Sequence, residues 1–223
     1  MSGIHNSKMK FSKFYNRYSG QRCFILGGAP SLKNEQLELL KNEKVFICNK
    51  GFKALEIGLD HYDFYVLADA SVARENYDQI ETQINGPRFY SSSVARKVNF
   101  THDYITYIRG TGKPHVSLPT SVEAGWGKVG TVVLDATILA YLMGFREIYL
   151  LGTDLDYSAN NTHFYPDDQR EIRQRNIMNM KLVLRNLKGV SKQLALHNVI
   201  FRNLSQGFNH KNICPVDRLQ NII

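Results

Sequence analysis

Short apolar blocks recur along the chain, and each gives way to a turn of small or polar residues. Cys23–Leu26, Val45–Cys48, Phe64–Leu67 and Ile148–Leu151 are runs with no charged side chain, the pattern of strands buried on both faces. Phe89–Tyr90 begins a further short strand, and Val199–Phe201 a last one. The segments between them have helical spacing. Leu37 and Leu40 predict a helix over about Asn34–Lys41 with Asn34 as its cap, and Phe52–Leu59 and residues 71–84 predict two more. A long helix is expected from about Arg170 to Leu194, with Ile177, Met180, Leu184 and Leu187 along one side.

The most informative stretch is Gly130–Asp156. A small-residue turn leads into a helix with apolar Val133, Ala136, Ile138, Ala140 and Tyr141, which ends at Gly144. The strand Ile148–Leu151 follows, and then Gly152-Thr153-Asp154. Strands alternating with helices predict a single α/β domain of Rossmann-like type, with a mostly parallel sheet flanked by helices, over residues 22–223. Residues 1–21 read as a basic, aromatic leader. Residues 92–129 hold Gly110, Gly112, Pro114, Pro119, Gly125 and Gly127 with little periodicity, and are expected to form a lid or acceptor-side excursion.

Composition narrows the partners. Hydrophobic content of 43% and charged content of 22% are ordinary for a globular protein. No apolar run approaches the roughly 20 residues of a membrane span, and the start lacks a signal-peptide block, so a cytoplasmic location is expected. Cys23, Cys48 and Cys214 lack metal-ligand spacing and read as structural thiols. The net charge of +8 suits an anionic partner. In the leader, Lys8, Lys10, Lys13, Arg17 and Arg22 interleave with Phe11, Phe14, Tyr15 and Tyr18. Either those aromatics pack on the domain, or residues 8–22 touch an anionic inner-membrane surface peripherally. No nucleic-acid motif follows, so nucleic acid is not expected.

Candidate chemistry collects at strand ends, where open parallel sheets bind ligands. Gly27-Gly28-Ala29-Pro30-Ser31 lets backbone N–H groups approach a phosphate. It is neither a dinucleotide fingerprint nor a P-loop, and its plain alternative is a strand–helix turn. Asn49 can read a base or ribose edge and Lys50 can meet a phosphate, although Asn-Lys-Gly is also common turn chemistry. Asp69 and Asp154 end strands and are placed to bind ribose, a metal or an acceptor hydroxyl. Asp154-Leu155-Asp156 also fits a DxD pattern for metal–diphosphate binding. His163 lies in the polar loop that follows, where a neutral imidazole is a natural general base. A surface loop histidine is the alternative.

GGAPSL after the first strand, FICNK after the second, and GTVVLDATILAYLMGFREIYLLGTDLDY followed by THFYPDD resemble the DUF115, or MptE-like, group over about residues 22–220. That group is similar in fold to bacterial sialyltransferases of the CstII type. Those carry a GNGPSL turn, an RCN segment after the second strand and a histidine base beyond a G–x–D strand. The resemblance implies nucleotide-contacting roles for Gly27, Pro30, Ser31 and Asn49, with Asp154 and His163 matching the post-strand acid and the base. Asn203 and Ser205 resemble the Asn-Ser after the last strand, and Gly130-Thr131 opens the helix where the sialyltransferases have Thr-Ser-Gly at another spacing. Gly28 stands where those enzymes have Asn.

The expected activity is therefore transfer of a sugar from a nucleotide donor, with a CMP-linked acidic sugar such as sialic acid favoured, onto a bacterial surface glycan or glycolipid. A homo-oligomer is implied by the same resemblance, and no cofactor beyond the donor is required. Two alternatives remain open. One is an ATP- and Mg²⁺-dependent hydroxymethylpterin diphosphokinase of MptE-like type, with Asp69, Asp154 or Asp156 on the metal. The other is a non-catalytic nucleotide-binding module.

Overall fold

The computed structural model describes residues 9–110, 117–156, 162–166 and 169–223. Lys8, the loop residues 157–161, Asp167-Asp168 and Gly112, Pro114 and His115 of the irregular segment lie outside them. Seven strands form one sheet: β1 (Arg22–Leu26), β2 (Lys44–Cys48), β3 (Phe64–Leu67), β4 (Arg88–Ser91), β5 (Ile105–Tyr107), β6 (Glu147–Leu151) and β7 (Ile200–Asn203). The order is β5-β4-β3-β2-β1-β6-β7, and every pairing between neighbours is parallel. The chain walks outward from β1 to β5, then returns to the other side of β1 to lay down β6. The order thus reverses between β1 and β6, and a crevice opens outside the carboxyl ends of those two strands.

Among the described residues, five α-helices connect the strands: α1 (Ala70–Glu75), α2 (Tyr77–Gln83), α3 (Ser92–Ala95), α4 (Val132–Leu142) and α5 (Gln169–Leu196). The block Gly130–Leu151 behaves as its pattern predicts. Its helix α4 is buried almost all round because it lies across β1, β2, β3 and β6 on one face of the sheet. Gly144 ends it at φ +96°, a left-handed conformation that glycine adopts without strain. A β-carbon there would also sit 3.0 Å from the Asn16 Cα, because the leader passes over this corner.

Several helices differ in kind from their prediction. The segment 34–41 forms two 3-10 helices, Pro30–Asn34 and Leu37–Asn42, so Asn34 closes the first instead of capping an α-helix. Glu35 interrupts them in extended geometry, and its carboxylate accepts from the Gln206 N–H at 3.3 Å. The helix expected at Phe52–Leu59 is a 3-10 helix over Asn49–Ile57. Residues 71–84 split at Asn76, whose side chain bonds back to the Val72 carbonyl at 2.9 Å. The irregular segment 92–129 contributes to the body of the fold. It carries α3, the edge strand β5 and an isolated parallel bridge from Arg109 to Trp126, and Trp126 is fully buried.

The leader packs. Phe11 and Phe14 are buried, and Phe14 meets Phe89 edge-on with centroids 5.4 Å apart. Tyr18 stacks on Phe145 at 4.9 Å. The aromatics that a membrane contact through residues 8–22 would use are thus largely inside, with Tyr15 half-exposed at 49%. No helix among the described residues is long and apolar enough to cross a membrane.

One packed cluster sets an acid limit on stability. The His102 ring lies between Tyr90 Oη at 2.8 Å and Glu81 at 2.7 Å. Burial holds His102 below its ordinary value, against the pull of Glu81. Burial by itself would raise Glu81, but the Thr101 N–H and hydroxyl and His102 outweigh it and bring it to about 2. Both groups are depressed in the fold, so each contributes stability above its unfolded value and loses it as pH falls. Thermal melts should therefore fall from about pH 6.5 downward. His102→Gln should flatten the curve between about pH 5 and 7. Identical curves for the two proteins would refute the assignment.

Candidate functional site

A cavity of about 320 Å³ opens at the reversal of strand order, at the low end of the roughly 300–1,000 Å³ of small-molecule sites. Its floor is the turn after β1 and the turn after β6. Gly27 N–H donates to the Leu151 carbonyl at 2.8 Å and Ala29 N–H to the Gly152 carbonyl at 2.9 Å. A β-carbon on Gly27 would lie 2.3 Å from the Gly152 oxygen, so the two turns can touch because residue 27 has no side chain.

The Asp154 carboxylate, itself in the cavity lining, locks this junction. Ser31 donates to it through its hydroxyl and through its backbone N–H at 3.2 Å. Gly207 leaves room for it, since a β-carbon there would be 2.6 Å from the Asp154 Cγ. Burial pushes the Asp154 carboxyl above its ordinary range, with the Ser31 hydrogen bonds opposing. Behind it, the Asn203 amide donates to the Thr153 carbonyl at 2.9 Å, and the Ser205 hydroxyl accepts from the Thr153 N–H at 2.7 Å. Pro30, Ser31, Asn203 and Ser205 therefore shape the floor from outside the cavity lining.

Other expected residues reach the cavity itself. Asn49 lines it in left-handed geometry (φ +51°), its amide oxygen accepting from the Ala68 N–H at 3.2 Å. Asp69 caps α1, accepting from the Ser71 N–H at 2.9 Å, and also lines the cavity. Thr131 caps α4, so the positive end of that helix, with Gly130, faces the same space. Asp156 lies on the rim. Lys50 is not in the lining; it sits 3.8 Å from Glu75 and 5.8 Å from the centre of the Tyr165 ring.

His163 is in the lining, stacked on Tyr165 with centroids 5.0 Å apart and planes 8° from parallel. Its Nδ1 lies 3.2 Å from the Thr162 hydroxyl. A β-carbon on Gly28 would come within 2.9 Å of the His163 Cδ2 and 3.3 Å of the Tyr165 hydroxyl. This explains the absence of a side chain at residue 28: the imidazole occupies the space.

The fold is shared with solved glycosyltransferases. A structure of MAf glycosyltransferase from Magnetospirillum magneticum AMB-1 superposes with a TM-score of 0.58 at 19% identity over 98% of this chain. This chain spans 38% of that protein's length. The sialyltransferase CstII from Campylobacter jejuni, in complex with a substrate analogue, cytidine-5'-monophosphate, gives 0.55 at 14% identity, covering 89% of this chain and 85% of the enzyme. Cst-II with a tyrosine-to-phenylalanine replacement, in complex with CMP, gives 0.52 at 14% identity over 88% and 86%. No protein-family model and no curated protein sequence matches the chain.

The structure also brings in residues that sequence reasoning passed over. Arg109, Lys128, Tyr165 and Asn179 all border the cavity. The loop carrying Lys128 is held by the Asn186 amide, which donates to the Lys128 carbonyl at 3.0 Å. Arg109 donates to Asp135 on α4 at 2.7 Å, and the Trp126 indole N–H donates to the other oxygen of that carboxylate at 2.7 Å. Asp135 is fully buried. Among the described residues no group of three or more His, Cys, Asp or Glu is arranged to hold a metal ion.

Proposed function

We propose that the chain transfers a sugar from a nucleotide donor, with a CMP-linked acidic sugar favoured, to a hydroxyl of a glycan acceptor. The observation that carries this reading is the placement of His163 directly over the Gly28 turn, inside a cavity at the strand-order reversal. The shared fold with glycosyltransferases supports it, and so do the motifs that resemble the DUF115 and CstII-type proteins.

The donor's nucleotide lies along the ends of β1 and β2, where the Asn49 NH₂ group, left over after its oxygen is engaged, reads the base or ribose. His163 accepts the proton of the acceptor hydroxyl as that oxygen attacks the anomeric carbon, and the nucleotide leaves with the bonding pair. The leaving phosphate gains charge as it departs, and the α4 N-terminus and Lys128, both in the cavity lining, are the positive groups offered to stabilise it. Asp154 acts here as a positioning residue that holds the Gly27–Ser31 turn, and needs no metal for that task.

A thermal-shift screen of CMP, UDP, GDP and ATP, each with and without Mg²⁺, tests the reading. Ligand at 100 times its dissociation constant adds about 2.7 kcal/mol. For a chain of this size that raises the melting temperature by about 5–11 °C. CMP should give this shift without Mg²⁺. A shift confined to ATP with Mg²⁺ would overturn the proposal in favour of phosphoryl transfer.

The crowding at residue 28 gives a second test. In Gly28→Ala the new methyl must displace the tip of the His163 side chain, a movement that costs the fold little. A displacement of about 1 Å at a reacting group can cost about 10²-fold in rate. The variant should keep its melting temperature within a few degrees and lose transfer on that scale. Unchanged kinetics would show that His163 does not act from the observed position.

A further inference from the structure

The Gly-rich turn offers an anion less than its sequence promises. Of the N–H groups between Gly27 and Leu32, those of Gly27, Ala29 and Leu32 donate to backbone carbonyls, and that of Ser31 donates to Asp154. Pro30 has none, which leaves the Gly28 N–H for a ligand among the described residues. A donor carrying a phosphate, and in the favoured case a sugar carboxylate, needs positive charge from elsewhere.

Arg109 supplies it. The side chain enters the cavity from the segment after β5, and its guanidinium offers five N–H donors in a planar fork. One of them meets Asp135, which is fully buried and fixed a second time by Trp126. The Trp126 ring in turn stacks on Tyr107 at 5.1 Å. One edge of the guanidinium is therefore anchored to a carboxylate that is itself fully buried. The guanidinium remains partly exposed, with 27% of the side chain accessible. Such pre-ordering lowers the entropy lost on binding. The charge of Asp69 also acts on the guanidinium, more weakly than that of Asp135.

We infer that Arg109 is the residue that reads an anionic group of the ligand, with Asp135 and Trp126 positioning it. The shared chemistry is a planar or tetrahedral oxyanion, and its two sources are the sugar carboxylate and the nucleotide phosphate. The inference rests on the proposed nucleotide-sugar reading for its choice of probes, not for the subsite itself.

Calorimetric titration of wild type, Arg109→Gln and Arg109→Lys with cytidine, CMP and CMP–N-acetylneuraminate separates the sources. If the carboxylate is read, Arg109→Gln should bind CMP–N-acetylneuraminate about 10–100-fold more weakly, the range for a hydrogen bond to a charged group, with CMP unchanged. If the phosphate is read, CMP and the nucleotide sugar should weaken together while cytidine holds. Arg109→Lys keeps the charge and loses the fork, so it should fall between, and it replaces Arg109→Gln should the latter fail to fold. Equal weakening of all three ligands, or of none, overturns the inference. Should neither nucleotide bind wild type, the nucleotide-sugar reading falls, and titration with free N-acetylneuraminate and inorganic phosphate decides Arg109. No anion binding, or binding unaltered in the variant, then refutes it.

Discussion

Alanine in place of His163 is expected to slow sugar transfer by about 10²–10⁴-fold, the usual contribution of a positioned general base. The fold should barely notice. The ring stacks on Tyr165 and meets the Thr162 hydroxyl, and a stack of this kind is worth about 0.5–1.5 kcal/mol. Donor affinity should also survive, because the proposed nucleotide contacts run along the ends of β1 and β2. The signature is thus a fall in kcat with little change in the dissociation constant of CMP. Transfer at the wild-type rate by a folded His163→Ala protein would end the assignment.

The sequence exposed most of the sheet because a parallel strand buried on both faces has no polar positions to blur it. Phe64–Leu67 is β3 to the residue, and the apolar runs at 23–26, 45–48 and 148–151 each fall within one residue of an observed strand. Helix α4 was readable for the same reason, although it is apolar all round and so could show no one-sided stripe. The connections on the other face were harder. Short 3-10 helices share apolar spacing with α-helices over one or two turns, and what separates them here is non-local. The Glu35 contact to Gln206 crosses most of the chain. The segment 92–129 hid its role because β5 has three residues and its partner bridge, Arg109 to Trp126, joins residues far apart in a Gly-rich stretch.

The candidate site was legible as a set of strand-end loops, and the topology explains why. Residues 27–31, 49, 69 and 154 follow β1, β2, β3 and β6, and a parallel sheet brings all such ends to one edge. Their individual duties were not legible. Ser31, Asn203 and Ser205 resemble ligand-contacting positions, and in the structure the Ser31 hydroxyl bonds Asp154 while the Asn203 amide and the Ser205 hydroxyl bond the backbone of Thr153. One signal was present and unread. Asp135 is an acid in an otherwise apolar helix, and a carboxylate there must be paired when the helix is buried. That requirement predicts a cationic or N–H partner for Asp135, and Arg109 and Trp126 supply it.

Asp135→Ala is the substitution with the largest expected effect on stability. Burial pushes the Asp135 carboxyl above its ordinary range, and Arg109 and the Trp126 N–H oppose that shift. In the other direction, burial pulls Arg109 down, and the charge and hydrogen bond of Asp135, with smaller help from Tyr107 and Asp69, together more than restore it. The carboxylate thus offsets a desolvation cost at each end. Its removal strands a half-buried guanidinium and the indole N–H of a fully buried tryptophan, and it opens a void at the start of α4. Breaking a buried ion pair from one side costs about 3–5 kcal/mol. For a chain of this size the melting temperature should fall by about 6–20 °C. Asp135→Asn keeps an acceptor for the indole N–H and nearly the same volume, so its loss should be smaller. The paired replacement Arg109→Gln with Asp135→Asn, which removes both charges together, should recover part of the loss seen in Asp135→Ala. Urea unfolding of the three proteins measures the series. A cost below about 1 kcal/mol for Asp135→Ala, within the range of an ordinary surface change, would show that the triad does not carry the rigidity assigned to it.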